Sequence, residues 1–463
     1  MSPGCAQAYL LWGLADFQRG ETAASIDHYN RAIRLGTPSY SAHYNLALAY
    51  LRQQNAQDAR KQLEIATRLN RNQPDAEYDL GIVLLQLGEP KDALLHLQRA
   101  KVLRPQPDVS FNIVRAEVEA GNNAQAQAEA ADAAKLYGAD LSWNAAVGQI
   151  FLHNNQPASA AMYLERANNL DPGNDVVRRQ LATAYLASQK PEAVVKLITV
   201  SKTSEDFFLL ASAHYALHQF EMADEQSQRA IDLATEEPRV LALRTRLLQR
   251  AGRQNQALEL AKRTIAIAPN WDEPYYQAGV SYYFIRQYDE AAQNLAKARE
   301  LNPKSARTYF LEAVAVANRG NTAEAEERLR QAILLEPTNA RLHCHLGILL
   351  FRLNKYPESE ASLNRAIQLK PEYGLSHYEL GKLLVYSKRY AQAIEQLEQA
   401  VARDPALGAA YYQLSRAYTA IGEKEKSAQA LARFQNLRQQ DNIDSREFDR
   451  EVDEDMRKAI QSP

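Results

Sequence analysis

Apolar positions along this chain recur at three- and four-residue steps, in blocks of about 12 to 15 residues that read as amphipathic helices. The blocks come in pairs, split by a short polar turn that often holds glycine, as at Gly20, Gly88, Gly121, Gly252, Gly320 and Gly422. Between pairs stands proline, at Pro105, Pro172, Pro269, Pro303, Pro337, Pro371 and Pro405, where a fixed φ and a missing N–H end one helix before the next begins. Strand-type alternation is absent. The pattern predicts helix–turn–helix units along nearly the whole sequence.

These units keep register. Starts at residues 6, 40, 74, 107, 141, 175, 204, 238, 272, 306, 340, 374 and 408 are spaced by 34, apart from one spacing of 33 and one of 29. The twentieth place is Ala or Ser in all units but that from Asp175, where Ala193 falls one place early. The twenty-seventh place is Ala except at Thr264, at Phe434 and in the shortened unit. Small residues at fixed places let two helices approach closely. With 463 residues the chain exceeds an ordinary single core. A quasi-linear array follows: all-α, a right-handed solenoid (superhelix) of about 26 helices, at two per unit.

The unit from Asp272 carries Tyr275, Ala278-Gly279, Tyr282, Ala291, Leu295 and Pro303, and that from Pro74 carries Leu80-Gly81, Leu84, Ala93, Leu97, Ala100 and Pro105. On these residues the chain resembles the tetratricopeptide repeat (TPR) family, as a tandem array of the bacterial type over residues 6–441. Val114 departs from the pattern, which has a small residue there, and the second helix of the unit from Asp175 is about five residues short. The expected organisation is a lead over 1–5, a TPR segment over 6–203, a second over 204–441 and an acidic amphipathic capping helix or tail over 442–463. That last element has a capping-box start at Asp444 and Glu447 and an apolar stripe of Phe448, Val452, Met456, Ala459 and Ile460.

Composition narrows the function classes. Lys plus Arg (54) nearly balance Asp plus Glu (56), for a net charge of -2, so no nucleic-acid partner is expected. No apolar run is long enough to span a membrane. Cys5 and Cys344 are too few for a disulfide framework. The cytoplasm is the expected compartment, with the periplasm or envelope as alternative if an N-terminal signal is missing from the sequence. Leu10, Leu11, Trp12, Leu14 and Phe17 form an apolar first helix that suggests self-association. There is no phosphate loop, nucleophile elbow or HExxH, so catalysis and cofactors are not expected. His343 and His345 flank Cys344 but diverge by about 200° on a helix, and cannot share a metal.

The resemblance implies that first helices line a concave groove with their second, fifth, sixth, ninth, twelfth and thirteenth places. Aromatic residues occupy one such row: Tyr44, Tyr78, Phe111, Phe208, Tyr276, Phe310, Tyr378 and Tyr412, with Tyr283 nearby. In the C-terminal half the groove places hold Arg239, Arg246, Arg250, Arg307, Arg341, Arg352, Lys382 and Arg416, with Gln277 and His345, against the acids Glu273 and Glu379. In the units from 74 and 107 they hold Asp75, Asp79, Asp108 and Glu119, with Arg115. The chain therefore reads as a non-catalytic scaffold that binds a peptide or helical segment of a protein partner, acidic toward the C-terminal half. The alternative is a regulatory or substrate-presenting region of a larger enzyme. No unit joins Lys at the fifth place to Asn at the ninth, so the family's carboxylate clamp is not expected. Limited proteolysis is expected to nick the chain first between Ser201 and Asp206, beside the shortened helix, and an uncut segment there would count against a weak junction.

Overall fold

In a computed structural model the described residues are 3–36 and 38–440, and they form twenty-six helices and no strand. After a first helix that begins at Pro3, the first helices of successive units begin at Tyr40, Pro74, Pro107, Leu141, Asp175, Ser204, Pro238, Asp272, Ala306, Ala340, Gly374 and Gly408. This is an all-α helical-repeat solenoid. It divides into two compact units, one ending at Ser201 and the other beginning at Lys202. The expected helix at 444–460 lies outside the described residues.

Within each repeat the packing turns on one pair of places, the eighth on the first helix and the twenty-fourth on the second. A Cβ built on Gly279 would lie 2.5 Å from Leu295 Cγ, and Gly81 on Leu97, Gly148 on Leu164, Gly347 on Leu363 and Gly381 on Leu397 repeat that approach at 2.5–2.6 Å. No side chain fits, so the leucine fills the space the glycine leaves. Val114, which breaks the small-residue pattern, is matched by Ala130 at the twenty-fourth place, and both are fully buried in one cluster. Volume moves from one helix to the other while the pair stays filled. The alanines at the twentieth place, such as Ala59, Ala93, Ala291 and Ala393, are wholly buried.

Turns inside the repeats are more permissive than glycine alone suggests. The fifteenth place takes a positive φ at Gly20, Gly88, Gly121, Gly252, Gly320 and Gly422, but also at Gln54, Asn155, Gln189, His218, Arg286, Asn354 and Lys388. A left-handed residue there costs a non-glycine about 1–2 kcal/mol. Packing of the two flanking helices offsets it.

The shortened repeat ends early rather than slipping. Its second helix is Pro191–Leu197, seven residues. Val194, not Ala193, stands at the twentieth place, fully buried. Lost length therefore comes from the helix end. Beyond it Thr203 and Asp206 form a capping box at the start of the Ser204–Ala216 helix, which ties down the far end of the segment expected to be cut. Val200 remains exposed.

Among the described residues no helix is long and apolar enough to cross a membrane. On the Pro3–Arg19 helix Leu11 and Trp12 are exposed, with the Trp12 ring edge-on to Tyr9 at 5.4 Å.

The seat of Gly279 on Leu295 gives a direct test. Gly279→Val should destabilise the second unit by about 1–3 kcal/mol through overpacking. Adding Leu295→Ala should recover most of that loss, because the double variant reproduces the Val114/Ala130 pairing. Urea unfolding followed by circular dichroism compares the two; no recovery in the double variant would show that the pairing is not the constraint.

Candidate functional site: the first-helix face of the second unit

Three successive first helices, Pro238–Arg250, Asp272–Phe284 and Ala306–Asn318, are joined by one buried carboxylate. Glu273, 6% exposed, accepts from Arg246 Nη2 at 3.0 Å and Nε at 3.2 Å through one oxygen, and from Arg307 through the other. Gln277 Nε2 adds a bond to the same carboxylate at 3.1 Å and one to the Ala242 carbonyl at 3.0 Å. The Gln277 carbonyl in turn accepts from Gln249 at 2.7 Å. Burial alone would raise the Glu273 carboxyl, but Arg246 and Arg307 outweigh it and hold the group below the usual carboxylate range. Arg307 also lies over the Tyr276 ring at 4.4 Å, whose hydroxyl burial pushes upward.

The basic row is thus largely engaged within the protein. Arg239 pairs with Glu205 at 2.7 Å and Glu237 at 2.9 Å, and Lys382 with Glu379 at 2.5 Å while lying over Tyr378 and Phe351. Arg250 stacks on Phe220 at 3.6 Å, and Arg416 bonds Gln413 at 3.2 Å. Glu205 and Glu273 reach their arginines from a neighbouring repeat, whereas Glu237 and Glu379 lie two and three residues from the base they pair with. Glu205, Glu237, Glu273 and Glu379 are the carboxylates that hold Arg239, Arg246, Arg307 and Lys382 in this way.

The aromatic row is graded rather than uniformly presented. Phe310, Tyr283 and Tyr378 are buried, as are Gln277 and His345, because neighbouring first helices close over them. Tyr276 is half-buried, and Tyr412, 40% exposed, packs against Phe434 at 5.4 Å. Phe310 meets the His345 ring edge-on at 4.8 Å. Arg341 is half-buried.

Three of the sequence-derived residues do converge. Tyr283, His345 and Arg352 line one cavity of about 40 Å³ with Ala313, Val314, Ala317, Asn318, Leu329, Ile348 and Leu349. Its lining comes from the Asp272–Phe284, Ala306–Asn318 and Ala340–Arg352 helices and Leu329, and joins buried Val314, Ile348 and Leu349 to half-buried Asn318 and exposed Arg352. That volume exceeds the roughly 10–15 Å³ a single water needs, and suits the tip of one apolar side chain. The apolar lining was not read from the sequence, since its small residues are indistinguishable from packing positions. Glu273 was read only as an opposing acid. Its signal was present in Arg at the ninth place one repeat earlier and Arg at the second place one repeat later. His343, by contrast, turns to the Pro337 carbonyl at 3.0 Å, away from buried His345.

Comparison with known proteins agrees with this architecture. Residues 44–108, 111–175, 276–327 and 310–373 match a family model described as tetratricopeptide repeat. Residues 13–54 match a second, described as TPR repeat, and residues 384–445 a third tetratricopeptide-repeat model. The chain belongs to the tetratricopeptide-repeat family. Membership supports the role of a protein-interaction scaffold, in a family whose repeats are typically non-catalytic. A crystal structure of the APC/C hetero-tetramer Cut9-Hcn1 is similar at 14% identity and a TM-score of 0.49, over 88% of this chain and 96% of that one. Yeast Tom70 is similar at 15% identity and a TM-score of 0.37, over 95% of this TPR chain and 97% of its own. No curated protein sequence matches the chain.

Glu273 sets a pH dependence with a definite sign. Its carboxyl is lowered in the folded protein, so its contribution is complete above the unfolded value near pH 4.3 and is lost as pH falls through the lower folded value. Glu273→Gln should cost about 1–3 kcal/mol at pH 7. The gap to the unsubstituted protein should narrow as pH falls below the ordinary carboxylate range, through the lowered value of the folded state. Hydrogen-exchange protection of residues 238–318 measures it, and a pH-independent gap would remove the assigned role of the ion pairs.

Proposed function

We propose that this TPR protein binds an extended or helical segment of a protein partner along the first-helix face of its second unit. An apolar side chain of the segment enters the cavity floored by Val314 and Ile348, and acidic groups beside it face Arg352 and Arg341. The observation that carries this reading is the cavity itself, whose lining joins three consecutive repeats and combines buried apolar side chains with Arg352. Arg352 on the cavity lining supports an acidic segment, since arginine binds carboxylates through charge-assisted, often bidentate bonds.

Arg246 and Arg307 are poor probes of that charge, because reversing either strips Glu273 of its partners. Ala317 and Arg352 touch the cavity without holding the Glu273 cluster. A partner recovered by pull-down and identified by mass spectrometry should bind Ala317→Trp and Arg352→Glu at least about tenfold more weakly, a loss of ~1.4 kcal/mol each. The circular dichroism of both variants should match that of the unsubstituted chain. Unchanged affinity in both would overturn the placement of the site.

A further inference from the structure

The first unit holds a second cavity of opposite electrostatic character. It measures about 420 Å³, lies between the Tyr40–Arg52 and Pro74–Gln86 helices, and is lined by Leu51, Gln54, Ala56, Asp79, Ile82 and Gln86. Asp79 is half-buried and accepts a hydrogen bond from the Tyr44 hydroxyl at 2.8 Å. Among the described residues no basic side chain pairs with it.

Most other buried carboxylates on first helices have a cation, Glu117 being held instead by the Asn122 amide at 2.8 Å. Glu77 has His96 at 2.6 Å, Glu273 has Arg246 and Arg307, Glu312 has Arg299 at 2.8 Å and Arg328 at 3.2 Å, and Glu379 has Lys382. Asp75, one turn away on the same helix, is taken by Arg104. Burial drives the Asp79 carboxyl upward, the Tyr44 bond opposes that, and the Asp75 charge adds to the rise. A cation at this point would relieve a cost that the fold itself leaves standing.

We infer that this cavity is a socket for a lysine or arginine side chain of a protein partner, with Asp79 as its counter-charge. Leu51, Ala56 and Ile82 supply an apolar wall for the aliphatic stem, and the side-chain carbonyls of Gln54 and Gln86 are acceptors for the remaining N–H groups. A ring pair stands beside it, Tyr40 stacked on Tyr44 at 5.4 Å. The inference rests on the reading of first helices as the binding face, but uses different repeats from the Val314 cavity.

The test selects phage-displayed random peptides on the full-length chain and measures the enriched peptides, synthesised with a fluorophore, by anisotropy. Lysine- or arginine-containing peptides should be enriched, and their affinity should fall at least tenfold with Asp79→Asn. That variant keeps the oxygen that Tyr44 bonds, so the fold is expected to survive. Gln86→Trp, which fills the cavity and leaves the charge, should weaken the same peptides by a similar factor. Asp58→Asn removes one charge from a carboxylate paired with Lys61, and should leave them unchanged, as should Ala317→Trp. Absence of basic peptides, or equal losses with Asp58→Asn and Asp79→Asn, would overturn the socket. Failure of the second-unit site would appear separately, as unchanged affinity of the pulled-down partner for Ala317→Trp and Arg352→Glu.

Discussion

Gly279 seated on Leu295 is the contact on which the repeat depends, and the same seat recurs at Gly81, Gly148, Gly347 and Gly381. Two helices joined by a tight turn must bury one stripe each, and the distance between their axes sets whether the stripes meet. A leucine pressed into the place of a missing side chain gains dispersion contacts on several sides and leaves no void. The gain is local to the repeat, and the twentieth place backs the same seat, with the Ala93 carbonyl 3.4 Å from a Cβ built on Gly81 and that of Ala393 3.4 Å from one on Gly381. Substitutions in the array are tolerated when volume is exchanged across the pair, as Val114 and Ala130 do, rather than simply added.

On that frame the charges are arranged by reach. First helices of adjacent repeats run side by side, so an acid in one repeat lies near bases in the repeats before and after it. Glu273 shows the consequence, with Arg246 one repeat earlier and Arg307 one repeat later. The carboxylate is buried because its counter-charges come with it, and the arginines are fixed because it binds them. A face that counts as strongly basic by residue type therefore presents a smaller net charge, held in defined positions. Fixed guanidiniums lose little freedom on meeting a carboxylate, which favours recognition over mere attraction.

Much of the fold was legible in the residues alone. Twelve first helices begin where the register places them, since small residues, prolines and apolar steps each act within one repeat. The reading erred where the deciding contact lies in the neighbouring repeat. Phe310 and Tyr378 share a sequence row with Tyr276 and Tyr412, yet the first two are buried and Tyr412 is exposed. Ala193 looked like the displaced small residue of the shortened repeat, but Val194 holds the place because the helix is cut at its end. The turn glycines proved sufficient rather than required, as the positive φ at Arg286 and Lys388 shows.

For this protein the sequence by itself determined the kind of fold, the length and register of its repeats and the TPR family. These follow from periodicities of 3.6 and 34 residues that survive without knowledge of any long-range contact. Only the tertiary structure decided which groove residues are available. It buried Gln277 and His345, committed Arg246 and Arg307 to Glu273, gathered Tyr283, His345 and Arg352 around one cavity, and left Asp79 facing another. Availability depends on which side chains one repeat presents to the next, and in a stacked array that is fixed by distances across helices, not by places along one.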